Sequence, residues 1–464
     1  MSTRHFDLII IGTGSGNSII GPEHDDLSIA IVEKGLFGGT CLNVGCIPTK
    51  MFVYPADVIS SARHVRELGV DLGAPEVDWP AIRDRVFGRI DQIPPAGEAY
   101  RKSLPNVTVY KGTARFVGEK TLDTGTGATI TADQIVIAAG GRPRELPVPG
   151  LEHPDPSRGV HTSDTVMRLD ELPPRMIIVG AGFIAAEFAH VFSSFGVDVT
   201  WLQRSDLALR EEDESISRAF TDLWVKRGAL KLNSTVSGAS YDDGVWTVTA
   251  DCPDGQEDFQ AESVLVAIGR VPNTDLLDAA AGGLAMRPDG RLVVDEYGRT
   301  SVPGVWALGD ISSDWQLKHV ANEEARVIAH NLTHPDDLEA FDQRFVPHAV
   351  FGHPQIASVG KTESQLRDEG VDYLVKVQKY GDIAYGWAME DTVGICKVLA
   401  DADSKQILGA HIMGYQASVV IQPLIQAATF GQPVHEVARG QFWIHPAVSE
   451  VVENALLGLE KPQA

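Results

Sequence analysis

Apolar residues in this chain are bunched into short runs rather than spread evenly. Leu8-Ile-Ile-Ile11 passes without a break into Gly12-Thr-Gly14-Ser15-Gly16-Asn17. An uninterrupted apolar run of this length, ending in small residues, predicts a parallel strand covered on both faces. The glycines predict a tight turn and a helix start, with Gly21-Pro22 ending that helix early, and Ser28-Ile-Ala-Ile-Val-Glu33 predicts the next strand. The order returns at Arg175-Met-Ile-Ile-Val-Gly180-Ala-Gly182-Phe183-Ile184-Ala-Ala-Glu187, succeeded by Val199-Thr-Trp-Leu-Gln203-Arg204. Two more runs, Ile135-Val-Ile-Ala-Ala139-Gly140-Gly-Arg-Pro143 and Gly304-Val-Trp-Ala-Leu-Gly309-Asp310, read as strands that deliver chain to a bound group. From about Val346 the pattern changes to alternating segments with a helix near Gln422 to Phe430, which predicts a separate domain of different build. No run approaches the roughly 20 apolar residues that a membrane helix needs.

A glycine turn between strand and helix is an anion site, because free N–H groups and the helix dipole face a dinucleotide's pyrophosphate. Glu33 lies 21 residues after Gly12, where a carboxylate can accept from a ribose hydroxyl. One such motif is a weak signal, whereas two in the same strand-turn-helix setting are a strong one. In the first copy Asn17 stands at the third-glycine position, so looser packing of helix on strand is expected there. In the second copy Gln203 replaces the acid, with Arg204 and Arg210 after it. That exchange suits the 2′-phosphate of NADPH, which a guanidinium fork can grip. Asp310 at its strand end suits a ribityl hydroxyl, although a turn-capping role also explains a Gly-Asp pair.

Candidate redox chemistry sits in Gly39-Thr40-Cys41-Leu-Asn-Val-Gly45-Cys46-Ile-Pro48-Thr-Lys50. Five regular helical steps would separate the two Cα atoms by about 7.5 Å, beyond the roughly 7 Å a disulfide spans. Gly45 relaxes the backbone and Pro48 is tolerated in a first helical turn. Cys41 is therefore expected on a bend and Cys46 at the opening of a helix. Such a bridge would be strained, accessible and reactive.

Composition narrows the setting. A chain of 464 residues, 44% of them hydrophobic, has room for about three domains. Its 63 acidic against 39 basic residues give a net charge of −24, which argues against nucleic acid or an anionic membrane as partner. No cationic lead or cleavage site precedes the first strand, so a cytosolic location is expected, where paired thiols are more often catalytic than structural. Cys252 and Cys396 stand far apart and read as structural, and no Cys or His spacing matches a zinc site, so no metal is expected.

Together these segments resemble the FAD-dependent pyridine nucleotide-disulfide oxidoreductases, the family of glutathione reductase and dihydrolipoyl dehydrogenase. The likeness covers nearly the whole chain through the two glycine motifs, Gly39 to Lys50, Ala267-Ile-Gly269-Arg270-Val-Pro272, Gly309-Asp310 and His445-Pro446 with Glu450, in family order. It implies a glutathione-reductase-like α/β fold with two Rossmann-like domains. FAD would take residues 1–150 and 273–345, NADPH residues 151–272, and an α+β dimerisation domain residues 346–464.

By the same likeness, Gly12, Gly14, Ser15, Gly16, Glu33, Thr40, Lys50, Ala139, Gly140, Gly309 and Asp310 would line the FAD site. Gly180, Gly182, Phe183, Ile184, Glu187, Arg204, Arg210, Gly269 and Arg270 would line the NADPH side, with Lys50 and Glu187 paired by the flavin and Phe183 over the nicotinamide. The resemblance further implies that NADPH reduces FAD, which reduces a Cys41-Cys46 disulfide. Cys46 would be the flavin-side thiolate and Cys41 the interchange thiol. His445, oriented by Glu450, would act as acid and base from the other subunit of a homodimer.

Segments Lys50 to Tyr54, Tyr380 to Asp391, Gly414 to Ser418 and Ala438 to His445 resemble the branch of this family that reduces mycothione, a low-molecular-weight disulfide, and that resemblance implies mycothione as substrate. The stretch Asn17 to His24 lacks the arginine a glutathione carboxylate would need, whereas Asn17, Ser18, Tyr54, Tyr415 and Gln416 suit a hydroxyl-rich sugar. The competing enzymatic reading is dihydrolipoyl dehydrogenase, and a redox-silent interaction subunit is disfavoured by the intact Cys41, Cys46, His445 and Glu450.

Overall fold

The computed structural model describes residues 3–462. Strand β1 (Arg4–Ile11) is followed by β2 (Ile29–Val32), a one-turn helix α1 (Gly39–Asn43) and the 19-residue helix α2 (Cys46–His64). Then come β3 (Val107–Tyr110), β4 (Arg115–Gly118), β5 (Thr121–Asp123) and β6 (Thr129–Ile137). The second strand-turn-helix comprises β7 (Arg175–Val179), α3 (Phe183–Ser194) and β8 (Asp198–Leu202), joined later by β9 (Ser263–Val266). Strand β10 (Val305–Ala307) and helix α4 (Lys318–Thr333) come next. The chain ends with β11 (His348–Val350), β12 (Gln355–Gly360), β13 (Tyr373–Lys379), β14 (Ile395–Asp401), β15 (Ile407–Gly414), helix α5 (Gln422–Thr429) and helix α6 (Glu450–Leu457).

The chain divides into two compact units. The first comprises Met1–Met51, Pro80–Arg144 and Gly269–Gln343. Its sheet runs β3-β2-β1-β6-β5-β4, with β10 also paired to β6. Strands β3, β2, β1, β6 and β10 are parallel to one another, while β5 pairs antiparallel with β6 and β4 with β5. Leu8 and Ile10 enter one core layer, and Phe6, Ile9 and Ile11 the opposite one. The unbroken apolar run of β1 is thus explained: both faces of the strand are covered, and each buried side chain stabilises the fold by about 1.5–3 kcal/mol.

The second unit comprises Phe52–Trp79, Glu145–Ile268 and Arg344–Ala464. It holds a parallel sheet in which β8, β7 and β9 are adjacent, and a separate antiparallel sheet in the order β11-β12-β15-β14-β13. The latter, with α5 and α6 on it, accounts for the change of pattern near Val346. Its core includes Val398, Ile412, Leu424 and Val452.

The turn after β1 departs from expectation. No α-helix succeeds it; Ser15–Ser18 form a single 3-10 turn. Gly16, Asn17 and Ser18 are poor helix formers, and Gly21-Pro22 closes the segment before a second turn can form. The close packing expected to be lost at Asn17 is supplied one residue earlier, since a Cβ on Gly16 would stand 2.6 Å from the Ala138 Cβ.

Candidate functional site

Both glycine turns solve the same packing problem in the same way. Gly12 has φ +95° and a Cβ there would meet the Ala138 carbonyl at 2.4 Å. Gly180 has φ +107° and its Cβ would meet the Ala267 carbonyl at 2.4 Å. At each, only glycine lets the turn fold back over the end of the neighbouring strand and keep backbone N–H groups available to an anion. The two turns lead into different structures. At the second, Gly182 caps the 12-residue helix α3, a true helix N-terminus, whereas the first has only its 3-10 segment.

In the first unit the thiol segment is laid directly on the first turn. Gly38 N–H donates to the Thr13 carbonyl at 3.1 Å. Gly39, at φ +65°, would set a Cβ 2.7 Å from the Gly14 Cα. Buried Asn43 donates to the carbonyls of Phe37 (3.0 Å) and Gly39 (2.9 Å), pinning the loop. Cys41 lies within α1 rather than on an open bend, because Asn43 and the Val44 N–H to Thr40 carbonyl bond (3.0 Å) close a helical turn around it. Cys46 opens α2 as expected. Neither is in a disulfide; Cys46 is exposed and Cys41 half-buried, and their side chains are hydrogen-bonded to each other. That bond, with burial, pushes the Cys41 thiol well above the usual cysteine range, while the Lys318 ammonium pulls the other way.

Lys318 was not legible as a site residue. At the first position of α4 it donates to Ser15 Oγ at 2.8 Å, and Ser15 Oγ donates to Asn322 Oδ1 at 3.0 Å. Burial lowers its own affinity for a proton, and both thiols oppose that shift. It is therefore a cation held over the glycine turn and felt by the dithiol.

Glu33 is buried and fully engaged: Oε2 accepts from Thr13 N (2.8 Å) and Thr13 Oγ1 (2.7 Å), and Oε1 from Gly35 N (2.7 Å). It shapes the turn with the same carboxylate that would meet a ribose. Ala139 and Gly140 are tied to Asn273, whose side chain donates to the Ala139 carbonyl at 2.8 Å. Arg270 donates to the Gly141 carbonyl at 2.7 Å, and its backbone pairs antiparallel with the same segment, Arg270 opposite Pro143 and Pro272 opposite Gly141. Gly309 N–H donates to buried Glu324 at 2.7 Å. Burial raises Asp310 above the ordinary carboxylate range, against the pull of Arg270 and Arg291. Thr40 is exposed on α1, and Lys50 lies on the first turns of α2.

In the second unit Gln203 is spent on its own loop, donating to Ser205 Oγ (2.7 Å) and the Leu207 carbonyl (2.9 Å). Arg204 and Arg210 are exposed, with no ion pair among the described residues. Phe183 is 44% exposed at the first position of α3, Ile184 beside it is half-buried, and Glu187 accepts from Phe351 N at 3.0 Å. His445 Nδ1 donates to Glu450 Oε1 at 2.7 Å, and Glu450 Oε2 accepts from Ala447 N at 3.3 Å. The imidazole is 72% exposed and Glu450 is largely covered, so the ring is aimed outward from a fixed carboxylate.

Two residues suited to sugar contact are committed elsewhere. Asn17 accepts from Arg101 Nε at 2.8 Å, and Ser18 donates to the Ser15 carbonyl at 2.6 Å. Tyr54 and Tyr415 are exposed, and Gln416 donates to the Tyr415 hydroxyl at 3.2 Å. Buried Tyr380 donates to the Tyr415 carbonyl at 3.3 Å, linking two of the diagnostic segments. Cys252 donates weakly to Ser234 Oγ, and burial pushes Cys396 up to about 12, so both behave as structural thiols.

Residues 6–325 match the family pattern of the pyridine nucleotide-disulphide oxidoreductases, and residues 346–456 match that family's dimerisation domain. The chain belongs to this family. Pyridine nucleotide-disulphide oxidoreductases of this kind are FAD-dependent, and the two glycine cradles fit two dinucleotides. Mycothione reductase of Mycobacterium tuberculosis is 52% identical over 98% of this chain and 99% of that protein. Dihydrolipoyl dehydrogenases of Corynebacterium glutamicum (31%, 98% of both chains) and Halobacterium salinarum (34%, 97% of this chain and 95% of that protein) are more distant. Among solved structures, the HOCl-induced flavoprotein disulfide reductase RclA from Escherichia coli is similar with a TM-score of 0.84 at 27% identity, over 97% of this chain and 99% of that one. The oxidoreductase therefore has the glutathione-reductase-like α/β fold, and it carries the family's dimerisation domain. No described helix is long and apolar enough to cross a membrane.

Proposed function

We propose that this oxidoreductase is an NADPH-dependent reductase of mycothione that works as a homodimer through Cys41 and Cys46. The observation that carries the reading is the side-chain hydrogen bond between these two thiols, in a segment packed backbone to backbone on the first glycine turn. Thiols that already touch can pass between dithiol and disulfide with little movement. The name of the 52% identical relative supports mycothione as substrate. Unpaired Arg204 and Arg210 support NADPH over NADH.

The division into an FAD part (1–150, 273–345), an NADPH part (151–272) and a dimerisation part (346–464) belongs to the same proposal, as do the cofactor residues assigned from sequence and a cytoplasmic location. Bound FAD supplies the electron relay from NADPH to the sulfurs. Everything else is the work of the chain. Cys46, at the N-terminus of a 19-residue helix, is placed to carry negative charge. Cys41 keeps its proton in its own environment and so needs a base.

That base is His445 of the partner subunit, its Nδ1–H fixed by a carboxylate and its Nε2 free. Cys41 Sγ attacks one sulfur of mycothione, forming a mixed disulfide. The displaced thiolate takes the proton held on His445 of the partner subunit. Cys46 then attacks Cys41 Sγ as a thiolate, closing the Cys41-Cys46 disulfide and expelling the second thiolate, which takes a proton from water; two electrons from NADPH reopen that disulfide. Exposed Phe442 and Ile444 beside His445 support docking of this segment on another chain.

Anaerobic turnover with NADPH or NADH against mycothione, glutathione disulfide and lipoamide tests the reading. Preferential NADPH-driven reduction of mycothione is expected. Lipoamide reduction with NADH and none of mycothione would overturn it.

A further inference from the structure

Away from these sulfurs, three metal-ligating side chains from separate elements of the second unit converge. Asp57 projects from α2, His190 from α3, and His353 from the turn between β11 and β12; their ligand atoms all lie within 4.8 Å of one another. We propose that Asp57, His190 and His353 form a binding site for a divalent transition-metal ion of borderline softness, with zinc as the reference ion.

The arrangement is built rather than incidental. His190 is 2% exposed and its Nε2 lies 2.7 Å from Asp57 Oδ1. Its other nitrogen lies 3.2 Å from Ser194 Oγ, itself 3.1 Å from Ser60 Oγ. Metal-bound histidines usually have their second nitrogen oriented by such an outer partner. The His353 ring stacks on that of His190 with centroids 5.4 Å apart and planes at 19°. Its backbone is held by Arg227, which donates to the His353 carbonyl at 3.1 Å. No described residue hydrogen-bonds the His353 ring nitrogens, so an Asp-His pair alone leaves this imidazole without employment.

Two imidazoles and a carboxylate with a fourth position open match the donor set of a non-structural zinc site. Ligands around tetrahedral zinc stand about 3.3 Å apart, given bonds of about 2.0–2.1 Å. The cluster needs only small rotamer shifts, opening the Asp57–His190 contact and drawing His353 in. His64, two helical turns beyond Asp57, is engaged by the Met389 carbonyl at 2.8 Å and is not a ligand. Arg227 opposes a cation, and Asp57 offsets it.

The test uses oxidised, chelator-treated holoenzyme, so that the active-site sulfurs cannot ligate. Zinc is followed by equilibrium dialysis and cobalt(II) by its visible absorption. One ion per chain is expected. Binding should weaken by about tenfold in Ser194→Ala, the loss typical of an outer partner, and by more in His353→Ala and Asp57→Asn. His64→Ala should leave it unchanged. His353 lies in a turn and only partly buried, so its replacement spares the core; flavin absorbance and far-UV circular dichroism confirm folding. Absence of a bound ion, or equal affinity in wild type and His353→Ala, would overturn the site. Because neither readout is turnover, this outcome is independent of the reductase reading.

Discussion

Glu450 Oε1 lies 2.7 Å from His445 Nδ1, on a helix that opens five residues after the imidazole it orients. The pair sits in one chain with the imidazole largely in solvent. His445→Gln is expected to lower kcat by about 10²–10⁴-fold, the usual worth of a general acid and base. Glu450→Gln keeps a hydrogen-bond acceptor but loses the charge, so a smaller loss of kcat is expected. Steady-state kinetics separate the two.

If the site is shared, Cys41→Ser chains mixed with His445→Ala chains should regain activity as heterodimers form, because each mixed dimer retains one intact site. Denatured and co-refolded mixtures, with heterodimer formation followed by differential tags, provide the measurement. Heterodimers without activity would show that the site lies within one chain.

Lys318 is a cation that the first unit contributes to the dithiol, and its charge favours loss of the Cys41 proton. Lys318→Met should therefore raise the pH at which Cys41 becomes reactive. Rates of alkylation by iodoacetamide in the NADPH-reduced enzyme, measured across the neutral to alkaline range, should shift to higher pH. An unchanged profile would remove Lys318 from this role.

Gly39 is required by space as well as by φ, since its Cβ would fall 2.7 Å from the Gly14 Cα. Gly39→Ala should cost about 1–3 kcal/mol through a strained left-handed residue. It should also release FAD, because the clash is with the cofactor turn itself. Flavin content and urea unfolding report the two losses separately; Gly88→Ala, which meets nothing within 4 Å, is the control.

Two histidines predict an acid limit to stability. Burial lowers His161 to about 4, and burial with nearby charges lowers His353 to about 3. Each stays neutral in the fold while the unfolded chain takes a proton near pH 6.5. Stability from these groups is complete above about 6.5 and falls as pH drops towards 4, by at most about 1.4 kcal/mol per unit for each. His161→Gln should flatten the slope of urea stability against pH in that window.

The strands were legible because runs such as Leu8 to Ile11 are covered on both faces, a condition that composition alone reveals. The thiol pair and the His445–Glu450 pair were legible because each is contained within a few residues. A helix after the first turn was expected and is absent, because the glycine motif encodes the geometry of a turn and not the length of the segment it starts; Gly16-Asn17-Ser18 lacks helix formers. Lys318 and Ser15 meet across 303 positions, and Asp57 and His190 across 133. No spacing rule encodes such meetings, because they are created by the order of strands in the sheets. The expectation of no metal rested on local spacing alone and had no view of the cluster that Asp57 and His190 form with His353.

A full helix after the second glycine turn, and a single 3-10 turn after the first, give the two turns different electrical characters. Around Gly180 the positive potential comes from a full helix terminus and two arginines standing in water, which dissolved ions screen within about 8–10 Å at ordinary ionic strength. Around Gly12 it comes from Lys318, half withdrawn from solvent and held by Ser15, where screening is weaker. Salt should therefore loosen an anionic ligand at the Gly180 turn sooner than one at the Gly12 turn.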